Sequence, residues 1–390
     1  MKKSFTRIVS AGLVVVMLMS AMCISAFAAT NVRQYKNYVV IGDSIPSGYG
    51  LATSNAPDYK NLKVSHGQLV VGSYPYIVAK AVGAANVSVL SRCGFRTVEA
   101  LRMLDKTYKY DSISDTVVGT YAQMFIDDHT YANNIKTVDA KDKVTTLQAR
   151  TTASVKNANL ITVNLGSNDT MTYALICMKA YLAKYSTSPL LAQAEKQMKS
   201  FGTLGCALIE LMKVAQSINK TSQALAVLSA SLLKGYAAFK INFATLIKDV
   251  EKLNPNAQIV VVGMYNPFKD LKISQYSLVK IGAMADNVVQ LMNTYMSTAC
   301  VYSGTYEYVD VMDTQAYTFS PVLSTNFSSK SFETDFIRNV HPTEVGYQYM
   351  AAQILTALPT ADSSSVSCPL AQYDQNVKTS IASIFKTLIK

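Results

Sequence analysis

The chain has 390 residues, 49% of them hydrophobic, with 36 Lys and Arg against 25 Asp and Glu and a formal charge of +11. That length and apolar content suit a large buried core and exclude a disordered or disulfide-stapled miniature. The basic residues are scattered without interleaved aromatics, so nucleic acid is not an expected partner, and the charge leaves at most a loose attraction to anionic cell-surface polymers.

Residues 1–28 read as a secretory signal: Lys2, Lys3 and Arg7 precede an apolar stretch over 8–24, and Ala26-Phe27-Ala28 offers small residues for cleavage. The expected protein is therefore extracellular, begins near Ala29 and carries a charge of about +8 once three basic residues are removed. Five cysteines remain, Cys93, Cys177, Cys206, Cys300 and Cys368. Their spacing matches no metal site and their odd number leaves at least one unpaired, so buried free thiols are expected, with no metal and no cofactor.

Next comes Tyr38-Val-Val-Ile-Gly-Asp-Ser-Ile-Pro-Ser-Gly-Tyr-Gly50. The unbroken apolar run at 38–41 predicts a strand buried on both faces, and it stops at Gly42-Asp43-Ser44. Open α/β sheets place their sites beyond the carboxyl ends of strands, which makes Ser44 a candidate nucleophile. His66 follows a polar stretch and is expected in a loop, solvated or locally hydrogen-bonded; His129, beside Asp127 and Asp128, is read the same way. A helix is predicted over 74–82, a strand over 86–90 that delivers Gly94, and a helix over 97–104 capped by Thr97 with Glu99 in its first turn.

Residues 105–155 are polar and read as an excursion over the surface. A third strand, 159–165, ends at Gly166-Ser167-Asn168-Asp169, where Asp169 is expected to cap a helix or anchor a loop. Over 171–253, Leu204, Leu208, Leu211 and Ala215, then Leu232, Phe239, Phe243, Leu246 and Val250, recur at helical spacing. This helical insertion is read either as a lid over the site or as scaffold packed on the sheet. A strand at 257–264, a helix at 274–298, a strand at 308–312 and a helix at 343–358 opened by His341-Pro342 complete the domain. Strands alternating with helices predict an α/β fold whose parallel sheet is covered on both faces. The tail, 359–390, is expected to form an amphipathic helix through Val377, Ile381, Ile384, Phe385 and Leu388.

Ser44, Gly94, Asn168 and His341 stand in four separate blocks, each at the end of a strand or the start of a helix. In order and spacing the set resembles the SGNH, or GDSL, hydrolases, over about residues 38–350. The resemblance implies a flavodoxin-like three-layer α/β/α sandwich over 29–358 and a secreted serine esterase or lipase that forms an acyl-enzyme. It implies Ser44 as nucleophile, His341 as general base, and an oxyanion hole built from the N–H groups of Ser44 and Gly94 and the amide of Asn168. The implied substrate is a small-molecule, lipid or glycan ester. Pro46 stands where the Gly-x-Ser-x-Gly elbow of α/β-hydrolases has its second glycine, so the turn is of another kind.

One position departs from the family. An aspartate usually stands three residues before the histidine, and here that residue is Arg338. An arginine cannot stabilise an imidazolium, so Asp335, Asn339 or a main-chain carbonyl is expected to orient His341. A glycan-binding protein without catalysis and an O-acyltransferase are the alternative readings on the same fold.

Overall fold

In a computed structural model of the protein, the residues described are 33–49, 51, 62–105, 108, 144–198, 204–267, 278–312, 314 and 341–359. The leader, His129, Asp335, Arg338, Asn339, Cys368 and the tail lie outside them.

Among the described residues six strands form one sheet: β1 (Asn37–Gly42), β2 (Lys63–Ser65), β3 (Asn86–Ser91), β4 (Leu160–Asn164), β5 (Gln258–Val262) and β6 (Glu307–Val309). Every pairing is parallel, and the order is β2-β3-β1-β4-β5-β6. β1 lies inside the sheet, with the earlier-wound strands on one side and the later ones on the other. Its end, beside the end of β4, is the point at which the winding reverses, and a crevice opens there.

Alternate residues of the inner strands enter two cores, as the period of two requires. Val39, Ile41, Ile161, Val163, Ile259 and Val261 face one layer of helices. That layer comprises α2 (Thr97–Leu104), α3 (Val144–Lys156), α4 (Ser167–Leu182), α5 (Pro189–Met198), α6 (Leu204–Ser217), α7 (Thr221–Leu253) and α8 (Leu278–Ser303). Tyr38, Val40, Val89, Val260 and Val262 face α1 (Tyr74–Ala81) and α9 (Glu344–Ala357) on the other side. The result is a three-layer α/β/α sandwich.

The helical insertion over 171–253 falls on α4 to α7. Phe239, Phe243, Leu246 and Val250 of α7 share a core with the sheet, as do Leu208, Leu211 and Met212 of α6. The polar excursion ends in a helix that its composition did not announce: α3 docks Val155 into the core and leaves its remaining described positions mostly polar. β2 also went unpredicted. It is a three-residue edge strand with exposed side chains, and Lys63 stands on it as charges commonly do on sheet edges.

β1 ends tightly. A Cβ on Gly42 would stand 2.2 Å from Pro46 Cγ and 2.8 Å from the carbonyl oxygen of Asn164, so only a glycine lets the chain turn here against the end of β4. Gly42→Ala should therefore destabilise the protein by about 1–3 kcal/mol, the usual range for overpacking. Urea unfolding of the two proteins measures this, and equal midpoints would contradict the packing described.

Candidate active site

After Gly42 the chain coils at once. Ser47 N–H donates to Asp43 O at 3.3 Å, Tyr49 N–H to Ser44 O at 3.1 Å, and the Ser47 hydroxyl to Ser44 O at 2.8 Å. The turn lifts Ser44 into the crevice. His341 arrives from the opposite end of the sequence, just ahead of α9, whose first turn is capped by Thr343 Oγ1 accepting from Gly346 N–H at 3.2 Å. Its Nε2 stands 2.9 Å from Ser44 Oγ. The ring is buried and lies 4.6 Å from that of Tyr49, tilted by 47°.

Tyr347, fully buried on α9, donates its hydroxyl to Ile45 O at 2.9 Å and reaches Tyr49 O at 3.4 Å. The helix that carries the histidine is thereby fastened to the turn that carries the serine. Neither Tyr347 nor Tyr49 was singled out from the sequence: a tyrosine on the apolar face of a helix reads as core, and Tyr49 lies in the turn after β1 with no local sign of its ring contact.

Gly94 follows β3 with φ at +81°, in the left-handed region that glycine occupies without strain. Arg92 N–H donates to Gly42 O at 3.1 Å, tying the approach to Gly94 to the end of β1. Asn168, in the first turn of α4, donates from Nδ2 to Phe95 O at 3.0 Å and to Asp43 Oδ2 at 3.3 Å. Its neighbour Asp169 accepts from Thr97 N–H at 3.0 Å and from the Thr97 hydroxyl. The cap on α2 expected from Thr97 thus comes from Asp169 on another helix. Glu99 supplies the remainder, accepting from Arg96 N–H at 2.8 Å and pairing with its guanidinium at 2.5 Å. Two loops that are distant in sequence are bound to each other behind the crevice.

Asp43 is buried beneath Ser44 and accepts from Ile45 N–H at 2.9 Å. Burial outweighs this bond and those from Ser167 and its own backbone, and pushes the carboxyl up to about 7; Asp169 is raised to about 7 by the same cause. Asp43 was legible only as part of the strand-end turn. Its contact with Asn168 joins residues 125 apart.

Ser44, Gly94, Asn168 and His341 all line one cavity of about 160 Å³, together with apolar side chains from α4, α6, α7 and α8. His66 is not among its lining residues. It is buried rather than solvated, with Nε2 3.0 Å from Ser154 Oγ, and burial, then Arg150 and Arg92, lower its pKa to about 4. Among the described residues no group of three or more His, Cys, Asp or Glu could hold a metal ion. Among the described residues Cys93, Cys177, Cys206 and Cys300 form no disulfide with one another, and burial raises the Cys93 thiol to about 11.

The sequence from 38 to 354 matches the family described as GDSL-like Lipase/Acylhydrolase. The chain belongs to this family. It is accordingly an ester-hydrolysing serine hydrolase on the SGNH fold. No curated protein matches the sequence. Among solved structures, this GDSL-like hydrolase is similar to an extracellular lipase from Streptomyces rimosus, with 15% identity, a TM-score of 0.44, and 83% of this chain and 100% of that one covered. A phospholipase A1 from Streptomyces albidoflavus gives 13%, 0.42, 83% and 100%. A family two carbohydrate esterase from Clostridium thermocellum gives 14%, 0.35, 83% and 63%.

The buried carboxyl of the GDSL-like hydrolase has a measurable consequence. In the unfolded chain Asp43 loses its proton near pH 4, whereas in the fold it keeps it to about 7. Between those values the native state binds more protons, so this group's contribution to stability falls as pH rises and levels off above 7. Asp43→Asn removes the titration. Its stability relative to the parent should climb from pH 4 to pH 7 and then stay constant, as read from urea unfolding at pH 4.5, 6 and 8. A constant difference across that range would contradict the raised value.

Proposed function

We propose that this protein is a secreted carboxylic-ester hydrolase acting through Ser44 and His341 and a covalent acyl-enzyme. The observation that carries the reading is the 2.9 Å separation of Ser44 Oγ from His341 Nε2, both in the lining of one cavity. Nε2 takes the hydroxyl proton as Oγ attacks the ester carbonyl, and the carbonyl electron pair moves onto oxygen. Collapse of that oxyanion breaks the bond to the alcohol, which leaves with the proton from Nε2. Water then repeats the sequence and frees the acid.

The developing oxyanion is assigned to the N–H groups of Ser44 and Gly94 and to Asn168 Nδ2, where fixed dipoles in a water-poor site act most strongly. Of the two bonds that Nδ2 makes at rest, the longer, to Asp43, is the one surrendered. Asp335 or Asn339, or the main chain beside them, is assigned to Nδ1 of His341. Residues 1–28 are assigned to export, so intact mass of the protein from culture medium should place its start near Ala29, and a retained Met1 would refute export with cleavage.

Against a short chromogenic ester, Ser44→Ala and His341→Ala should each lower kcat by about 10⁴-fold or more, and Asn168→Ala by about 10²–10³-fold, with chelators without effect. Asp335→Ala should cost more than about 10³-fold if its carboxylate stabilises the imidazolium; a parental rate would assign Asn339 or main chain instead. Full turnover by Ser44→Ala would overturn the reading.

A further inference from the structure

The cavity does not end at the reacting atoms. His341 approaches Ser44 from the α9 side of the sheet, whereas Met171, Leu208, Leu232, Val288 and Met292, which line the rest of the cavity, belong to the core on the other side. In the proposed reaction the leaving alcohol takes its proton from His341 Nε2 and has to stay on the histidine side. The acyl portion is then directed toward the apolar end.

We propose that this apolar end is an acyl site for straight aliphatic chains of up to about six carbons, its depth set by Leu208 of α6 and Leu232 of α7. The assignment rests on the Ser44 and His341 reading above. Lining chemistry supports it, since Met171, Leu208, Leu232, Val288 and Met292 gain by covering methylenes and carry no donor for a glycan hydroxyl, although Asn164, Ser167, Thr170, Tyr265 and Asn266 also line the cavity. Size sets the limit. At about 160 Å³ in all, the catalytic end included, the cavity is close to the roughly 150 Å³ apolar cavity that accommodates benzene, so the acyl group counted with its reacting carbonyl has room for about six carbons.

The walls are fixed. Leu208 is 1% exposed, Leu232 5% and Met292 0%, and all three belong to the core that includes the sheet face. Close-packed interiors yield little to extra volume, so these walls do not widen to take a longer chain. The helices over 171–253 therefore act here as a rigid measure of chain length and not as a lid that a lipid surface would open.

The test is kcat/KM of the full mature protein on p-nitrophenyl esters from acetyl to dodecanoyl, with Ser44→Ala measured in parallel. The parent should gain about fourfold per methylene up to about six carbons, the equivalent of burying each one, and should lose at least tenfold by ten carbons. Leu208→Phe and Leu232→Phe should each lower the hexanoyl-to-acetyl ratio at least tenfold, and Leu232→Ala should move the maximum to longer chains. Inhibition of the parent by straight-chain alkyl boronic acids should follow the same length dependence, which decides the matter if a variant fails to fold. Equal rates at all lengths, or a maximum at ten carbons or beyond, with Ser44→Ala inactive, would overturn the acyl site alone. Turnover retained in Ser44→Ala would overturn the reading on which it rests, whatever the length profile.

Discussion

The approach of β1 to β4 at their carboxyl ends is the constraint on which the rest of this molecule depends. In the parallel register Gly42 lies opposite Asn164, and the two strands end together. The chain leaves β1 by coiling toward the crevice and leaves β4 into α4, so Ser44 and Asn168 arrive at one place. A side chain at position 42 would meet Pro46 and the Asn164 carbonyl and force these two exits apart. The serine is therefore presented by backbone geometry before any side-chain interaction is considered.

Much of this was readable beforehand because the signals were local. The apolar run 38–41 and the mostly apolar 160–165, ending in Gly-Asp-Ser and Gly-Ser-Asn-Asp, mark strands that deliver polar groups to one sheet edge, and β1 and β4 lie there, as β5 lies on the run 259–262. Helical spacing through Phe239, Phe243 and Val250 likewise foretold the buried face of α7, though not what it packs on, which is chiefly α4. What stayed hidden depends on partners distant in the chain. Nothing near Thr97 says that Asp169 caps it, nothing near Tyr347 says that its hydroxyl holds the Ser44 turn, and His66 carries no local sign that it lies buried against Ser154. β2 was missed for the opposite reason: three exposed residues have too little pattern to be seen.

The buried polar groups behind the crevice form a clasp. Asp169 grips Thr97, Asn168 grips Phe95, and the Arg96 and Glu99 pair closes the turn between them. In a medium of low dielectric such bonds are strong when satisfied and costly when one member is lost, so the Gly94 loop and the start of α4 hold a fixed separation. Two carboxyls that retain protons to about pH 7 belong to this region, where burial is deep enough to oppose charge.

The separation of 297 positions from Ser44 to His341 bears on how the protein comes into being. A chain that folds as it emerges from its amino end holds the serine early, and even β1, β3 and β4 with the clasp can form while the histidine has yet to appear. Contacts of such separation in sequence are the slowest to close. On the proposed Ser44 and His341 site, esterase activity would then be among the last properties acquired, and the appearance of turnover during refolding would time the docking of α9 and not the formation of the sheet.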